Sequence, residues 1–136
     1  MKNTIQLFSI ISFFLISSKS MAQLDTLTYI KQFEINKTQY INQPFSYLLS
    51  QMTQIQPKTV WSGTYAKNKN IVKSSRFKFC QKEYSFNNAI TLSIIWEEFI
   101  PRTQINYYEN KNNFYFTNEE KAFYGNKIIK DIRVYR

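Results

Sequence analysis

The chain contains no histidine. That removes the usual general base near neutral pH, the commonest metal ligand, and every Ser–His or Cys–His nucleophile pair. It contains one cysteine, Cys80, so no intramolecular disulfide forms. One Cys and no His also leave no zinc or transition-metal ligand set. Glycine occurs twice, at the distant positions Gly63 and Gly125, which excludes a glycine-rich phosphate loop. Proline is nearly as scarce, with three residues, so the composition is not that of a flexible linker. No apolar run reaches the ~20 residues that a membrane-spanning helix needs. From these absences no catalytic, cofactor-binding or metal-binding residue is expected, and the chain is read as a non-enzyme.

What is present begins at the N-terminus. Lys2 supplies a positive start, and Ile5 to Ile16 is apolar apart from Gln6, Ser9 and Ser12. Ser17, Ser18, Lys19 and Ser20 end the run, and Ser20-Met21-Ala22 places small residues at the −3 and −1 positions of a cleavage site. Charge, apolar core and cleavage site follow the order of an export signal. Residues 1–22 are therefore predicted to be a signal peptide, with the mature chain starting at Gln23. No cysteine follows the apolar run, which argues against a lipid anchor. No stable membrane anchor is expected after cleavage, and the protein is expected in the periplasm or outside the cell.

Lys and Arg outnumber Asp and Glu eighteen to nine, for a net charge of +9. Export makes nucleic acid an improbable partner for that charge. An envelope or extracellular protein, or an anionic glycan, fits better. The cations are scattered rather than massed: Lys67 and Lys69, Lys73, Arg76 and Lys78, Lys82, then Lys127, Lys130 and Arg133. Aromatic residues are 18% of the chain, ample for a core without disulfide staples. No repeat or composition break divides residues 23–136, so a single domain is expected.

Periodicity gives the elements. Leu27, Ile30 and Phe33 form a weak helical stripe. In "QPFSYLLSQM", Pro44 suits the first helical position, and Phe45, Leu48, Leu49 and Met52 share one face. Pro57 stops this helix. The period then becomes two. "TVWSGTY" (59–65) reads as a strand and "AKNKN" as a turn. "IVKSSRFKFCQK" (71–82) puts Phe77 and Phe79 on one face, and Arg76, Lys78 and Cys80 on the other. Asn87-Asn88 marks a turn. "AITLSIIWEEF" (89–99) carries Ile90, Leu92, Ile94 and Trp96 on one face, and Pro101 closes it. "QINYYEN" and "FYF" flank Asn110 to Asn113 and predict a hairpin with a polar loop. Thr117 and Glu120 match a helix capping box, with Gly125 or Asn126 suited to a left-handed helix end. "KIIKDIRVYR" predicts a last strand with Ile128, Ile132 and Val134 inward.

The fold class implied is α+β. The expected architecture is an antiparallel sheet of about five strands. One or two N-terminal helices and a short C-terminal helix pack on one face. A helix-poor β-barrel is the alternative.

Three groups carry what chemistry remains. Glu97 and Glu98 are neighbours on a strand, so alternation points them apart unless a bulge re-aims one. Cys80 shares a face with Arg76 and Lys78, cations that favour a thiolate. Tyr107, Tyr108, Lys111, Phe114, Tyr115 and Phe116 fall on the predicted hairpin. That hairpin has more rings than one core face needs, so these six residues are the candidate recognition surface.

"YINQPFSYLL" (40–49), following a start that ends "MAQ", resembles a pattern in small exported proteins of the Bacteroidota. There a Tyr/Phe-Ile-Gly-Lys-Pro turn opens a helix ending Leu-Leu; here Asn42-Gln43 stand in place of Gly-Lys. The resemblance brings no catalytic residue with it. The function expected is a small exported, non-catalytic binding or interaction protein of the cell envelope. A module for envelope glycan or an anionic polymer is the alternative.

Overall fold

A computed structural model describes residues 25–136. The predicted signal peptide, residues 1–22, lies outside the described residues. Helix α1 (Thr26–Ile35) starts at Asp25, whose carboxylate accepts the Thr28 N–H. Helix α2 (Phe45–Gln51) follows, with Pro44 as its extended N-cap rather than its first helical residue. Strands β1 (Thr59–Tyr65), β2 (Asn68–Lys78) and β3 (Thr91–Pro101) come next. Helices α3 (Arg102–Asn112) and α4 (Asn118–Gly125) precede the last strand, β4 (Ile129–Tyr135).

The fold is α+β. Among the described residues the sheet has four strands, not about five, in the order β1-β2-β3-β4, all antiparallel. Strands β1 and β4 do not pair with one another, so the sheet is not a barrel. One face carries Val60, Phe77, Leu92, Ile94, Trp96, Ile132 and Val134, matched by register. Phe45 packs on Phe77 and Trp96, and Tyr124 stacks on Trp96, so α2 and α4 cover this face. Ile30, Phe33, Leu48, Leu49, Met52 and Ile105 complete one apolar core. The helical stripes read from the sequence are the ones buried.

The missing strand is a helix. Residues 104–110, expected as half of a hairpin, form the middle of α3. The pair Ile105 and Tyr107 looks like alternation, yet the inward residues are Ile105, Tyr108 and Glu109, at i, i+3 and i+4. The helix ends because Asn113 and Phe114 both adopt positive φ, 52° and 68°. Of the proposed hairpin, only Tyr115 makes a β-bridge, to Thr59 of β1, with backbone bonds on either side of it. Val60 N–H donates to Phe114 O at 2.9 Å, and Phe116 N–H to Lys58 O at 2.8 Å.

Bulges account for the remaining departures. Trp96 pairs with Ile129 while Ile95 pairs with Asp131, so Lys130 is an extra residue. Face parity flips there. Ile129 is buried and Ile128 is exposed, the reverse of simple alternation. β2 begins at Asn68, inside the stretch read as a turn, and ends at Lys78, two residues before Cys80. Gly125 does not adopt a positive φ, so no left-handed residue ends α4. A Cβ on Gly125 would sit 3.4 Å from Ser46 Cβ; the glycine serves close packing of α4 on α2.

Candidate functional site

The capping box at the start of α4 forms as the sequence implies. Thr117 Oγ1 accepts the Glu119 N–H at 3.2 Å, and the Glu120 carboxylate accepts the Thr117 N–H at 2.9 Å. Asn112 Nδ2 also donates to Glu120, at 2.6 Å, which ties the end of α3 to the start of α4. Lys111 completes the junction by pairing with Glu119 at 2.7 Å. The hydrogen bond that Lys111 donates to Glu119 is the first cause both raising the pKa of Lys111 and lowering that of Glu119.

A second tie fixes the other end of α3. The Glu109 carboxylate accepts Ser62 Oγ–H at 2.7 Å and Arg102 Nη2–H at 3.2 Å. Arg102 also contacts the Ser62 hydroxyl. These bonds hold α3 against β1 and set the direction of its outer side.

That outer side carries rings. Tyr107 is 58% exposed. Its ring meets Tyr108 at 5.1 Å between centroids, Tyr108 meets Phe123 at 4.7 Å, and Phe123 meets buried Tyr124 at 4.9 Å. Lys111 Nζ lies 5.7 Å from the Tyr107 ring centre, and Lys127 Nζ 5.0 Å from that of Phe123. Tyr107, Tyr108, Lys111, Glu119, Ala122 and Phe123 line an open groove of about 500 Å³ between α3 and α4. That volume lies in the range of ligand and anchor sites.

Of the six residues proposed as a recognition surface, Tyr107, Tyr108 and Lys111 therefore meet, and the other three are elsewhere. Phe116 packs on Phe45 and Phe77 at the core edge. Phe114 stacks on Trp61 at 4.3 Å, with rings 15° from parallel. Tyr115 is half-buried in the bridge to Thr59. The hairpin expected to present all six does not exist, because its first strand is α3. Glu119, read with Glu120 as negative charge at a helix start, and Phe123, absent from the six, stand four apart on α4. Their helical spacing was the available signal.

β3 is irregular between Ile95 and Ile100, since their β2 partners Ser74 and Val72 are only two residues apart. Glu97 and Glu98, both exposed, lie with Lys127 among the residues lining a cleft of about 190 Å³. That is below the usual volume of a small-molecule site. Cys80 is half-buried and lines a separate cleft of about 240 Å³ with Tyr84, Ile90 and Arg136. Among the described residues, no group of three Cys, Asp or Glu side chains is placed to hold a metal ion. Nor is any described helix long and apolar enough to cross a membrane.

No family model, curated protein or solved structure matches this chain.

Proposed function

We propose that the protein is a small exported, non-catalytic binding protein of the cell envelope that holds a protein partner in the α3–α4 groove. The observation that carries this reading is the run of rings from solvent to core: Tyr107, Tyr108, Phe123 and Tyr124. Tyrosine anchors are frequent hot spots, because a rigid ring buries much area at small entropic cost. Tyr107 and Tyr108 carry polar hydroxyls, so the rings of the groove are not wholly apolar. The one ion pair bordering the groove, Lys111–Glu119, is exposed and internally compensated, which suits a largely neutral interface.

The test is affinity capture from an envelope and secreted fraction, with wild-type and Tyr107→Ala proteins side by side. A specific protein should be retained by the wild type. Tyr107→Ala should weaken that capture by about 30-fold, the effect of losing ~2 kcal/mol at an anchor. Equal capture by both proteins, with the variant folded, refutes the groove as the binding site.

A further inference from the structure

The sheet has a second face, opposite the helices, and the register places its residues in three rows. Thr59, Lys78, Thr91 and Tyr135 form the first. Trp61, Arg76, Ser93 and Arg133 form the second, and Gly63, Ser74, Ile95 and Asp131 the third. Among the described residues, no α-helix packs against the middle of this face. Segment 80–90 folds over the first row: Ser85 Oγ reaches Thr59 Oγ1 at 3.4 Å, and Phe86 meets the Trp61 ring at 4.7 Å. The roof thus reaches the second row at Trp61, which the Phe114 ring also covers, and Ser93 is buried; Arg76 and Arg133 of that row are exposed.

The charge on this face is one-sided. Arg76 is exposed, and Arg133 is largely so. Asp131 is the only acid in the three rows, and Lys37 and Arg133 already pair with it, at 2.6 and 3.5 Å. Lys78 is 8% exposed and makes no hydrogen bond or ion pair among the described residues. Its ammonium lies 5.4 Å from the Phe86 ring centre. Burial of the side chain is the first cause lowering the pKa of Lys78, while the ammonium itself keeps contact with solvent. It stands where the roof meets the open part of the face, with no counter-charge among the described residues.

We propose that this face is a binding shelf for an anionic polysaccharide, with carboxylates or sulfates on Arg76, Arg133 and Lys78 and a sugar ring against Phe86. Strands lie ~4.8 Å apart, so Arg76 and Arg133, two strands apart, have backbones ~10 Å from one another. Arg76 and Lys78 are ~7 Å apart along β2. A polymer with recurring charges meets all three cations, whereas one small anion meets one or two. Phe86, 72% exposed at the lip of the roof, offers a flat apolar surface beside the charges. Sugars present such faces on their C–H sides. An acidic peptide adding as a strand needs free backbone groups at a sheet edge, and the interior of a sheet face has none.

The experiment titrates the whole protein with polygalacturonate, dextran sulfate, uncharged dextran, poly-glutamate and inorganic phosphate. Polygalacturonate or dextran sulfate should bind, and which one binds tells carboxylate from sulfate. Binding should weaken at least tenfold as salt rises from about 0.05 to 0.3 M. Arg76→Ser with Arg133→Ser should reduce affinity at least tenfold, as should Lys78→Met. The control pair Lys67→Ser with Lys69→Ser removes equal charge from the β1–β2 turn and should leave binding within twofold. Circular dichroism verifies that each variant is folded. Four results overturn the shelf: no binding to either polyanion, equal losses in the control pair, equal affinity for poly-glutamate, or full displacement by millimolar phosphate. None of these outcomes bears on the α3–α4 groove.

Discussion

Replacing Glu109 by alanine tests whether the position of the groove depends on the tie between α3 and β1. The Glu109 side chain is 10% exposed and its partner Arg102 30%. Breaking a fully buried ion pair costs ~3–5 kcal/mol, because the surviving charge is stranded. Exposed pairs are worth ~0–1 kcal/mol. Arg102 regains partial hydration through its exposed fraction, so the expected loss is about 2 kcal/mol. For a domain of this size that lowers Tm by roughly 8 °C. The assay is urea unfolding followed by the fluorescence of the two tryptophans, Trp61 and Trp96. Changing Glu109 and Arg102 together to methionine removes the stranded charge and should restore stability to within ~1 kcal/mol of wild type. A Glu109→Ala loss below about 0.5 kcal/mol, or additive effects in the double variant, refutes the coupling.

Ile105→Ala, deep under α3, should cost about 2–4 kcal/mol in urea unfolding, while Tyr107→Ala on the outer side should cost less than about 1 kcal/mol. Asp131 is held below its ordinary carboxyl value of 3.8, first by the hydrogen bond from Lys37. A folded value below the unfolded one means this stabilisation is present above pH 3.8 and is lost as pH falls through that value. Asp131→Asn should therefore lower the urea midpoint at neutral pH and match wild type in strong acid. Lys78 is held below 10.5 by burial, so its ammonium is penalised at neutral pH and relieved as pH rises toward 10.5. Lys78→Met should raise the neutral-pH midpoint, with the gap closing as pH approaches 10.5. Intact-mass measurement of the exported protein should give a start at Gln23; a full-length chain in the membrane fraction refutes the leader.

Where the sequence was legible, two independent signals agreed. Helix α2 has a proline at its start and a four-residue stripe, Phe45, Leu48, Leu49 and Met52, all buried. Helix α4 has a capping box, and both halves of it form. Strand β3 keeps unbroken register with β2 and β4 from Leu92 to Ile95. Errors arose where one period was read from too few residues. "QINYYEN" contains one aliphatic residue and two adjacent rings, which fit either period. Glu109 decides the matter, because a carboxylate turned inward makes sense only with Arg102 and Ser62 beside it. Both partners depend on the tertiary fold, and no local pattern contains them.

The bulges carry the same lesson to the surface. Inserting Lys130 into β4 moves Ile129 inward and Ile128 outward, and β3 loses regular register with β2 between Ile95 and Ile100. A one-residue slip reverses every later side chain, so parity arguments hold only up to the first bulge. The open face lies mostly on the regular side of these interruptions. Arg76, Ser93 and Arg133 keep strict register across three strands. Their common face was thus encoded in the alternation already read from β2 and β3. Which faces the helices would cover was not, since that follows from α3 being a helix and lying with α2 and α4 on the Trp96 side. With that apolar cover on one side, the opposite face keeps the roof of segment 80–90 and the Phe114 ring, and Arg76 and Arg133 stay exposed. Lys78 sits at the boundary between roof and open rows, where gaining an anion and losing stability are two consequences of one burial. If Lys78→Met both raises the urea midpoint and weakens polyanion binding, that residue trades stability for recognition.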